Sequence, residues 1–352
     1  MNIQIEVDKK GMEHEFYGKP FYFSYSSLNK LMYAPQLFYR HYILGQREDQ
    51  TSQALLEGKV IHCLLLDNGS FDEQFLLLPG NMPSDNPKKV IDAVFDLYKV
   101  EDMADRPEKT LGDYDQAILD ILKAIDLHQS LTDDKKAPMK TGDEKRLEKL
   151  ITDANKEYFE FLKKQTGKDI VDIPTLEYCT EVANLLKDHS EVNQLLGINS
   201  SAEDVQVFNE LPIQASLSPG TPFGIKGILD NVVIDLKNKV IRINDLKTTS
   251  KSLSEFKETV DFWNLWLQAT LYEEMVRQEF LRNNDVVESE WSVEFTFVVI
   301  DKYKQIYPFK VSETTKEDWR MRTAKVLEAA NWHYKERRYD LPYELAINRV
   351  TL

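Results

Sequence analysis

Two strand-like segments near the middle of the chain constrain its fold more than any other feature. The first runs from residue 224 to 235 and the second from 239 to 247, with a short polar connection between them. Because side chains alternate along a strand, Asp245 and Lys247 lie on the same face. If the two strands pair antiparallel, Asp230 of the first strand lies opposite the Asp245 end of the second. The sequence therefore predicts a hairpin that carries two carboxylates and one ammonium at one edge.

The residue types at this edge suit a particular chemistry. Carboxylate oxygens are hard ligands of the kind that Mg²⁺ prefers. A lysine beside such an ion can orient or deprotonate an attacking water and offset charge on a phosphorus centre. Each aspartate alone is more often a turn or cap residue, and Lys247 could simply form a surface salt bridge with Asp245. Asn238 lies near the tip of the predicted hairpin, where a left-handed backbone conformation is tolerated.

Composition favours an intracellular globular protein. With 352 residues and 42% hydrophobic content, the chain can bury a sizeable core in one large or two intimate domains. Its two cysteines, Cys63 and Cys179, exclude a four-cysteine cluster or a disulfide framework, and we interpret them, with His41, as structural. We see no signal peptide and no apolar run near the ~20 residues of a membrane helix, so we expect a cytoplasmic protein without membrane contact.

The distribution of charge is uneven. The net charge of −15 argues against a general polyanion binder, since phosphate contacts come from lysine and arginine. From Gly224 to Lys257, however, seven basic residues face four acidic ones (7 − 4 = +3), and from Lys302 to Lys325 seven face three (7 − 3 = +4). Such runs are often only solvated surface. Their coincidence with the carboxylates modestly favours a site for an anionic substrate.

The remaining patterns predict an α/β (α+β) fold, in which helices surround a central mixed sheet. We expect a mainly helical part over residues 1–200, with a polar insertion at about 79–164, and a core sheet with C-terminal helices over 201–352, together forming one intertwined domain. None of the Gly-Lys pairs belongs to a phosphate-binding loop, so no ATP is expected. The predicted helices cover 24–42 with a break at Pro35, 52–66, 143–164, 175–196, 253–281 and 315–335. The other predicted strands cover 204–217, 291–300 and 305–311.

Several motifs of the chain together resemble a known protein family. Asp230 followed by Asp245-Leu246-Lys247-Thr248-Thr249 resembles the PD-(D/E)XK nuclease superfamily, and more specifically its RecB-type and phage RecE-like exodeoxyribonucleases. A lone Asp-x-Lys is weak, but five elements occur in the family's order. The other three are Tyr25-Ser26-Ser27-Leu28 with Ala34-Pro35-Gln36-Leu37-Phe38-Tyr39, Gly58-Lys59-Val60-Ile61-His62, and Gln268-Ala269-Thr270-Leu271-Tyr272. The resemblance implies a restriction-endonuclease-like sheet.

The resemblance also implies roles for individual residues. The metal ligands would be His62, Glu210, Asp230, Asp245 and the Leu246 carbonyl, with Mg²⁺ as the ion and Mn²⁺ able to replace it. Glu203 and Glu177 compete with Glu210 for the additional acidic position. Ala34 stands where cluster-bearing relatives have a cysteine, so no iron–sulfur cluster is implied.

Further candidates lie on helices. Gln268 and Tyr272 are four residues apart and share a helix face, where they would hold phosphate or Lys247, although both could equally be packing residues. Tyr25 and Ser26 could touch the DNA strand. Trp263 and Trp266 could stack on bases, although a core position is the more frequent role of tryptophan.

The implied activity is Mg²⁺-dependent hydrolysis of linear DNA by an exodeoxyribonuclease, in phage or bacterial recombination or DNA degradation. The expected partners are DNA, further copies of the chain in a homo-oligomer and a single-strand annealing protein. Two alternatives remain: a nuclease fold kept as an inactive DNA-binding scaffold, and an acidic DNA-mimicking interaction protein, which the net charge suggests. The sequence does not give the polarity of digestion or the strand preference.

Overall fold

The computed structural model describes residues 11–47, 52–100, 109–136, 139–198, 200, 202–217, 221–284 and 286–348. The chain divides into two compact units, one formed by Met1–Asn68 with Glu181–Leu352 and the other by Gly69–Thr180. The polar insertion predicted at 79–164 lies inside the second unit.

The strands are numbered in chain order. They are β1 (Phe21–Phe23), β2 (Phe75–Leu77), β3 (Asp169–Val171), β4 (Val205–Ser216), β5 (Phe223–Asp235), β6 (Val240–Thr249), β7 (Ser292–Asp301) and β8 (Ile306–Lys310). The helices are α1 (11–17), α2 (Tyr25–Tyr33), α3 (Pro35–Phe38), α4 (Gln53–Leu66), α5 (Phe71–Gln74), α6 (Asp85–Val100), α7 (Asp115–Ala124), α8 (Gly142–Leu150), α9 (Asp153–Lys164), α10 (Ile173–Asp188), α11 (Ser190–Leu196), α12 (Phe256–Phe262), α13 (Leu265–Val276), α14 (Glu313–Glu336) and α15 (Tyr343–Ile347).

Six of the described strands form one mixed sheet in the first unit. β5 pairs antiparallel with β4 along one edge, while its other edge pairs with β1 (parallel) at its start and with β6 (antiparallel) at its end. β6 continues parallel to β7, and β7 pairs antiparallel with β8. The predicted α/β fold with a central mixed sheet and surrounding helices is confirmed.

The hairpin of β5 and β6 forms as predicted, with Asn238 in its turn. Lys239, not Asn238, has the left-handed backbone conformation, with φ 54°. Asn238 instead donates its backbone N–H to Oδ1 and its side-chain Nδ2 to Oδ2 of Asp235, at 3.0 and 2.9 Å. Asn238 thus lies in the turn, where its amide closes an Asx-type turn on the carboxylate, and the left-handed position falls one residue later.

Helix starts in the first unit follow capping chemistry. Ser24 accepts a hydrogen bond from the Ser27 backbone N–H at 3.3 Å, and Ser27 accepts one from the Ser24 N–H at 2.8 Å, which forms a capping box. Pro35 ends α2 and opens α3, as predicted. Ser52 caps α4, which bears His62.

Three long predicted helices are each divided in two. Thr152 separates α8 from α9 by capping the second helix, and His189 does the same between α10 and α11. Trp263 and Asn264 separate α12 from α13. Apolar periodicity runs through all three breaks, which is why it did not reveal them.

The second unit has a helical core of its own. Val90, Ile91 and Val94 of α6 pack with Ile118 and Leu122 of α7, and all five side chains are buried. Neither helix was predicted, because prolines and charged residues obscure their apolar stripes. β2 and β3 of this unit pair parallel and were also not predicted.

The core of the first unit lies against the sheet. α13 contacts β4, β5 and β7, and most of its side chains are buried. None of the described helices combines the length and the apolar character that crossing a membrane requires.

Candidate active site

The predicted carboxylates lie where β5 and β6 separate. The ladder between these strands ends at the pair Asn231 and Asn244. Asp230 precedes Asn231 in β5 and Asp245 follows Asn244 in β6, so both carboxylates lie just outside the paired region. The backbone N–H of Leu246 donates to Oδ2 of Asp230 at 2.7 Å, which closes the gap between the diverging strands. The predicted juxtaposition of Asp230 with the Asp245 end is confirmed.

α4 and β4 bring two further candidate ligand side chains, His62 and Glu210, to Asp230. Nδ1 of His62 lies 3.7 Å from Oε1 of Glu210 and 3.7 Å from Oδ1 of Asp230. One ligand atom from each of these three residues lies within 4.8 Å of the others. Burial lowers the pKa of His62, but the carboxylates of Asp230 and Glu210 outweigh it and the net pKa is raised.

Glu210 occupies a strained backbone position. Its φ is 47°, in the left-handed region that a residue with a side chain rarely adopts. At Glu210 the pairing of β4 with β5 is interrupted opposite Asp230, between the pairs Asn209–Asn231 and Leu211–Leu229. Strain of this kind persists where the surrounding structure holds it, and here it accompanies the placement of the carboxylate beside His62.

Asp245 and Lys247 form a pair next to this group. Nζ of Lys247 lies 2.7 Å from Oδ2 of Asp245, whose side chain is 1% exposed against 23% for the lysine. Burial raises the pKa of Asp245 to about 6, because the attraction of Lys247 only partly offsets the loss of solvation. Burial alone would lower the pKa of Lys247, but the carboxylates of Asp245 and Asp230 raise it, so the lysine stays an ammonium at neutral pH.

α13 places an amide and a phenol against Asp245. Nε2 of Gln268 donates to Oδ1 of Asp245 and to the Tyr272 hydroxyl, each at 3.0 Å. The Tyr272 ring packs directly on β5, because a Cβ at Gly227 would come within 2.7 Å of it. Burial raises the pKa of the Tyr272 phenol. The helix-face pairing of Gln268 and Tyr272 is therefore observed, and it positions Asp245.

An amide ladder crosses the three strands at the rung beside the carboxylates. Nδ2 of Asn244 donates to Oδ1 of Asn231 at 2.7 Å, and Nδ2 of Asn231 donates to Oδ1 of Asn209 at 2.8 Å. The outer members reach helix ends: Asn209 donates to the Leu66 carbonyl of α4, and Asn244 to the Leu195 carbonyl of α11. We call Asn209, Asn231 and Asn244 the asparagine ladder. Each member is the sequence neighbour of one carboxylate: Glu210, Asp230 or Asp245.

The group of His62, Glu210 and Asp230 fits a divalent cation. Around an octahedral ion with ligands at about 2.1 Å, adjacent ligand atoms are roughly 3.0 Å apart and opposite ones roughly 4.2 Å apart. The 3.7 Å from Nδ1 of His62 to each carboxylate oxygen lies between these values. Nε2 of His62 lies 3.2 Å from the carbonyl oxygen of Leu246. With Nδ1 facing the carboxylates, Nε2 donates a hydrogen bond to this carbonyl oxygen, which orients the ring. The metal-ligand roles of all five candidates stay predictions: His62, Glu210, Asp230, Asp245 and the Leu246 carbonyl.

The other sequence candidates are placed differently. Trp266 is buried, with the Arg322 guanidinium 4.2 Å from its ring centroid, so its core role is as expected. Trp263 is 56% exposed and does not take the core position that tryptophan favours. The Tyr25 hydroxyl donates to the Trp263 carbonyl, and Ser26 is exposed near the start of α2. Sequence analysis missed the asparagine ladder, although an asparagine adjoining each carboxylate was a visible signal.

Comparison with known proteins supplies the family. The model of the PD-(D/E)XK nuclease superfamily matches residues 22–340. Among solved structures, a protein from Eubacterium rectale described as a "putative exonuclease" is similar, with 13% identity, a TM-score of 0.45, and coverage of 98% of this chain and 91% of the other. No curated protein matches the chain. The family match spans all the elements that build the site, and the chain belongs to the PD-(D/E)XK nuclease superfamily.

Proposed function

We propose that this protein is a divalent-metal-dependent deoxyribonuclease that digests linear DNA from its ends. The observation that carries the proposal is the single cluster in which His62, Glu210 and Asp230 adjoin the Asp245–Lys247 pair. Membership of the nuclease superfamily supports hydrolysis of nucleic acid. Digestion from an end follows from the motif resemblance to the RecB-type and RecE-like exodeoxyribonucleases.

The chemistry divides between an ion and the side chains. Mg²⁺ held by His62, Glu210 and Asp230, with Asp245 as a further predicted ligand, would act as a Lewis acid on a phosphate oxygen. In the metal-free protein the carboxylates of Asp245 and Asp230 favour the ammonium form of Lys247, so we infer that it would act as a donor that aligns the attacking water and offsets charge on the phosphoryl oxygens. Asp245 holds the ammonium of Lys247 in place. Gln268 holds Asp245 by a hydrogen bond, and the Tyr272 hydroxyl holds Gln268.

The reaction balances as a hydrolysis. The water oxygen forms a bond to phosphorus and releases a proton, the bond from phosphorus to the 3′-oxygen breaks, and that oxygen takes up a proton, so one water is consumed in all. The products are a 5′-phosphate and a 3′-hydroxyl. Phage or bacterial recombination, assembly into a homo-oligomer and cooperation with a single-strand annealing protein belong to the same proposal through the motif resemblance.

The experiment is digestion of end-labelled linear duplex and of covalently closed circular DNA, each with Mg²⁺ and with EDTA. We expect nucleotides to be released from the linear substrate with Mg²⁺ only, and the circle to persist. Absence of hydrolysis of both substrates would contradict a nuclease. Linearisation of the circle would contradict end dependence while leaving the nuclease in place.

A further inference from the structure

Two neighbouring aromatic side chains are exposed at the turn between α12 and α13. Phe262 is 71% exposed and Trp263 is 56% exposed. Their ring centroids are 4.8 Å apart, and the ring planes are perpendicular, at 90°. Burial of rings of this size stabilises a fold strongly, and these two exposed rings do not contribute that stabilisation.

The turn that presents these rings is fixed by side-chain hydrogen bonds. The Trp263 carbonyl accepts from the Tyr25 hydroxyl and, at 3.3 Å, from Nδ2 of Asn29. Asn264 has the left-handed φ of 54°, and its Nδ2 donates to Oδ1 of Asn29 at 2.7 Å. Its Oδ1 accepts from Nε1 of Trp266 at 3.1 Å. The rings are thus held outward by a strained, clamped backbone.

The turn lies beside the candidate active site. The charges of Lys247 and Asp245 act on the Tyr25 phenol, whose hydroxyl holds the Trp263 carbonyl. Nζ of Lys251 lies 6.0 Å from the centroid of the Phe262 ring. Because Lys251 follows Lys247 by four residues, at most about 14 Å separates their Cα atoms. That distance corresponds to about four nucleotides of a stacked strand at 3.4 Å each.

The geometry points to a stacking platform: we propose that Phe262 and Trp263 receive an unpaired nucleobase of the DNA strand whose phosphodiester lies beside Lys247. This inference rests on the proposed function and adds the substrate class to it. Aromatic side chains bind bases through their π-faces, and such a face is free only where a strand is single or ends. Lys251, beside the Phe262 ring, supplies a cation for a neighbouring phosphate. The preferred substrate is therefore a strand with single-stranded character near the cleaved bond.

The test measures binding of a short fluorescein-labelled oligo(dT) and of a blunt duplex of equal length, by anisotropy in EDTA so that hydrolysis does not interfere. The variants are the double substitution Phe262→Leu with Trp263→Leu, and the ring-preserving double substitution Phe262→Tyr with Trp263→Phe. We expect the leucine variant to bind oligo(dT) about 5- to 100-fold more weakly than the wild type. The ring-preserving variant should stay close to the wild type, and duplex affinity should change little.

A second arm changes the DNA in place of the protein. Abasic nucleotides replace the terminal nucleotides one at a time, and we expect one position at which the wild type loses affinity and the leucine variant does not. The wild-type profile alone shows whether such a position exists, so this part of the test stands even if the leucine variant folds poorly.

Two results separate the inference from the proposed function. Equal affinity of the wild type and the leucine variant for oligo(dT), or no sensitive abasic position, would overturn the platform while DNA hydrolysis with Mg²⁺ still stood. Failure of the wild type both to bind and to hydrolyse DNA would overturn the proposed function as well.

Discussion

The side chains of Asn231 and Asn244 join β5 to β6 at the last rung before the strands separate, with Nδ2 of Asn244 donating to Oδ1 of Asn231 at 2.7 Å. Both residues are almost completely buried, and Asp230 and Asp245 adjoin them. The asparagine ladder thus joins the strands at the residues next to the carboxylates. We infer that it holds the spacing of the candidate metal ligands.

Replacing Asn244 by alanine should therefore weaken metal binding as well as folding. We expect a loss of about 1–3 kcal/mol in the free energy of unfolding, because Asn231 and the Leu195 carbonyl lose a partner in a buried setting. Affinity for Mn²⁺, measured by electron paramagnetic resonance of the free ion, should fall at least severalfold. Asn155→Ala is the matched control, because Asn155 is a buried asparagine that donates to the Leu150 carbonyl in the other unit. Equal Mn²⁺ affinity in the two variants would contradict the role of the ladder.

Replacing Glu210 by glycine should separate stability from metal binding. Glycine adopts the left-handed conformation without strain, and after its entropic cost we expect a gain of about 0.5–1 kcal/mol in the metal-free protein. Mn²⁺ affinity and DNA hydrolysis should fall sharply, since a ligand is lost. Lys239→Gly relieves a φ of 54° at the turn of the hairpin, so it should gain similar stability and keep full hydrolysis. Undiminished Mn²⁺ binding by Glu210→Gly would remove this residue from the site.

The raised pKa of Asp245 predicts how stability depends on pH. A carboxyl whose pKa is raised in the fold contributes stability below its unfolded value of about 3.9, and that contribution is lost as the pH rises through about 6. The stability of metal-free Asp245→Asn relative to the wild type should therefore increase between these values, by up to about 3 kcal/mol, and stay level above them. Chemical denaturation of both proteins across this range checks the result. A difference independent of pH would show that Asp245 ionises without penalty.

The raised pKa of His62 predicts competition between protons and metal. The carboxylates of Asp230 and Glu210 favour the protonated form of the ring, and a metal must displace that proton in order to bind. Mn²⁺ affinity of the wild type should fall as the pH is lowered, starting above the ordinary histidine value of about 6.5. His62→Gln should bind Mn²⁺ more weakly at neutral pH, with a flatter pH profile in this range. Parallel profiles for the two proteins would exclude His62 as the competing group.

Local patterns in the sequence were sufficient to predict the hairpin and the placement of its charged side chains. Strand alternation places Asp245 and Lys247 on one face, and the antiparallel return of the chain brings Asp230 to them, so the geometry follows from a short segment. The helix-face pairing of Gln268 with Tyr272 is local in the same way. The sequence motif also named His62 and Glu210, whose approach to Asp230 depends on the packing of α4 and β4.

Features that depend on distant segments could not be read in this way. β1 has only three residues, and its partner in β5 lies about two hundred residues later, so no local pattern marks it. The left-handed backbone of Glu210 occurs where the pairing of β4 with β5 is interrupted opposite Asp230, and β4 alone does not reveal that interruption. The exposure of Trp263 results from hydrogen bonds of Tyr25 and Asn29, which lie far away in the chain.

The most direct test of the central claim is the rate at which linear duplex DNA is hydrolysed with saturating Mg²⁺ by the wild type and by Asp245→Ala. Asp235→Ala is the matched control, because Asp235 is a carboxylate at the other end of the same hairpin, where it accepts from Asn238. We predict at least about a 100-fold loss for Asp245→Ala, since removing Asp245 frees Lys247 and weakens the electrostatic stabilisation at phosphorus. Asp235→Ala should hydrolyse DNA at close to the wild-type rate. Equal rates for Asp245→Ala and the wild type would contradict the assignment of the active site.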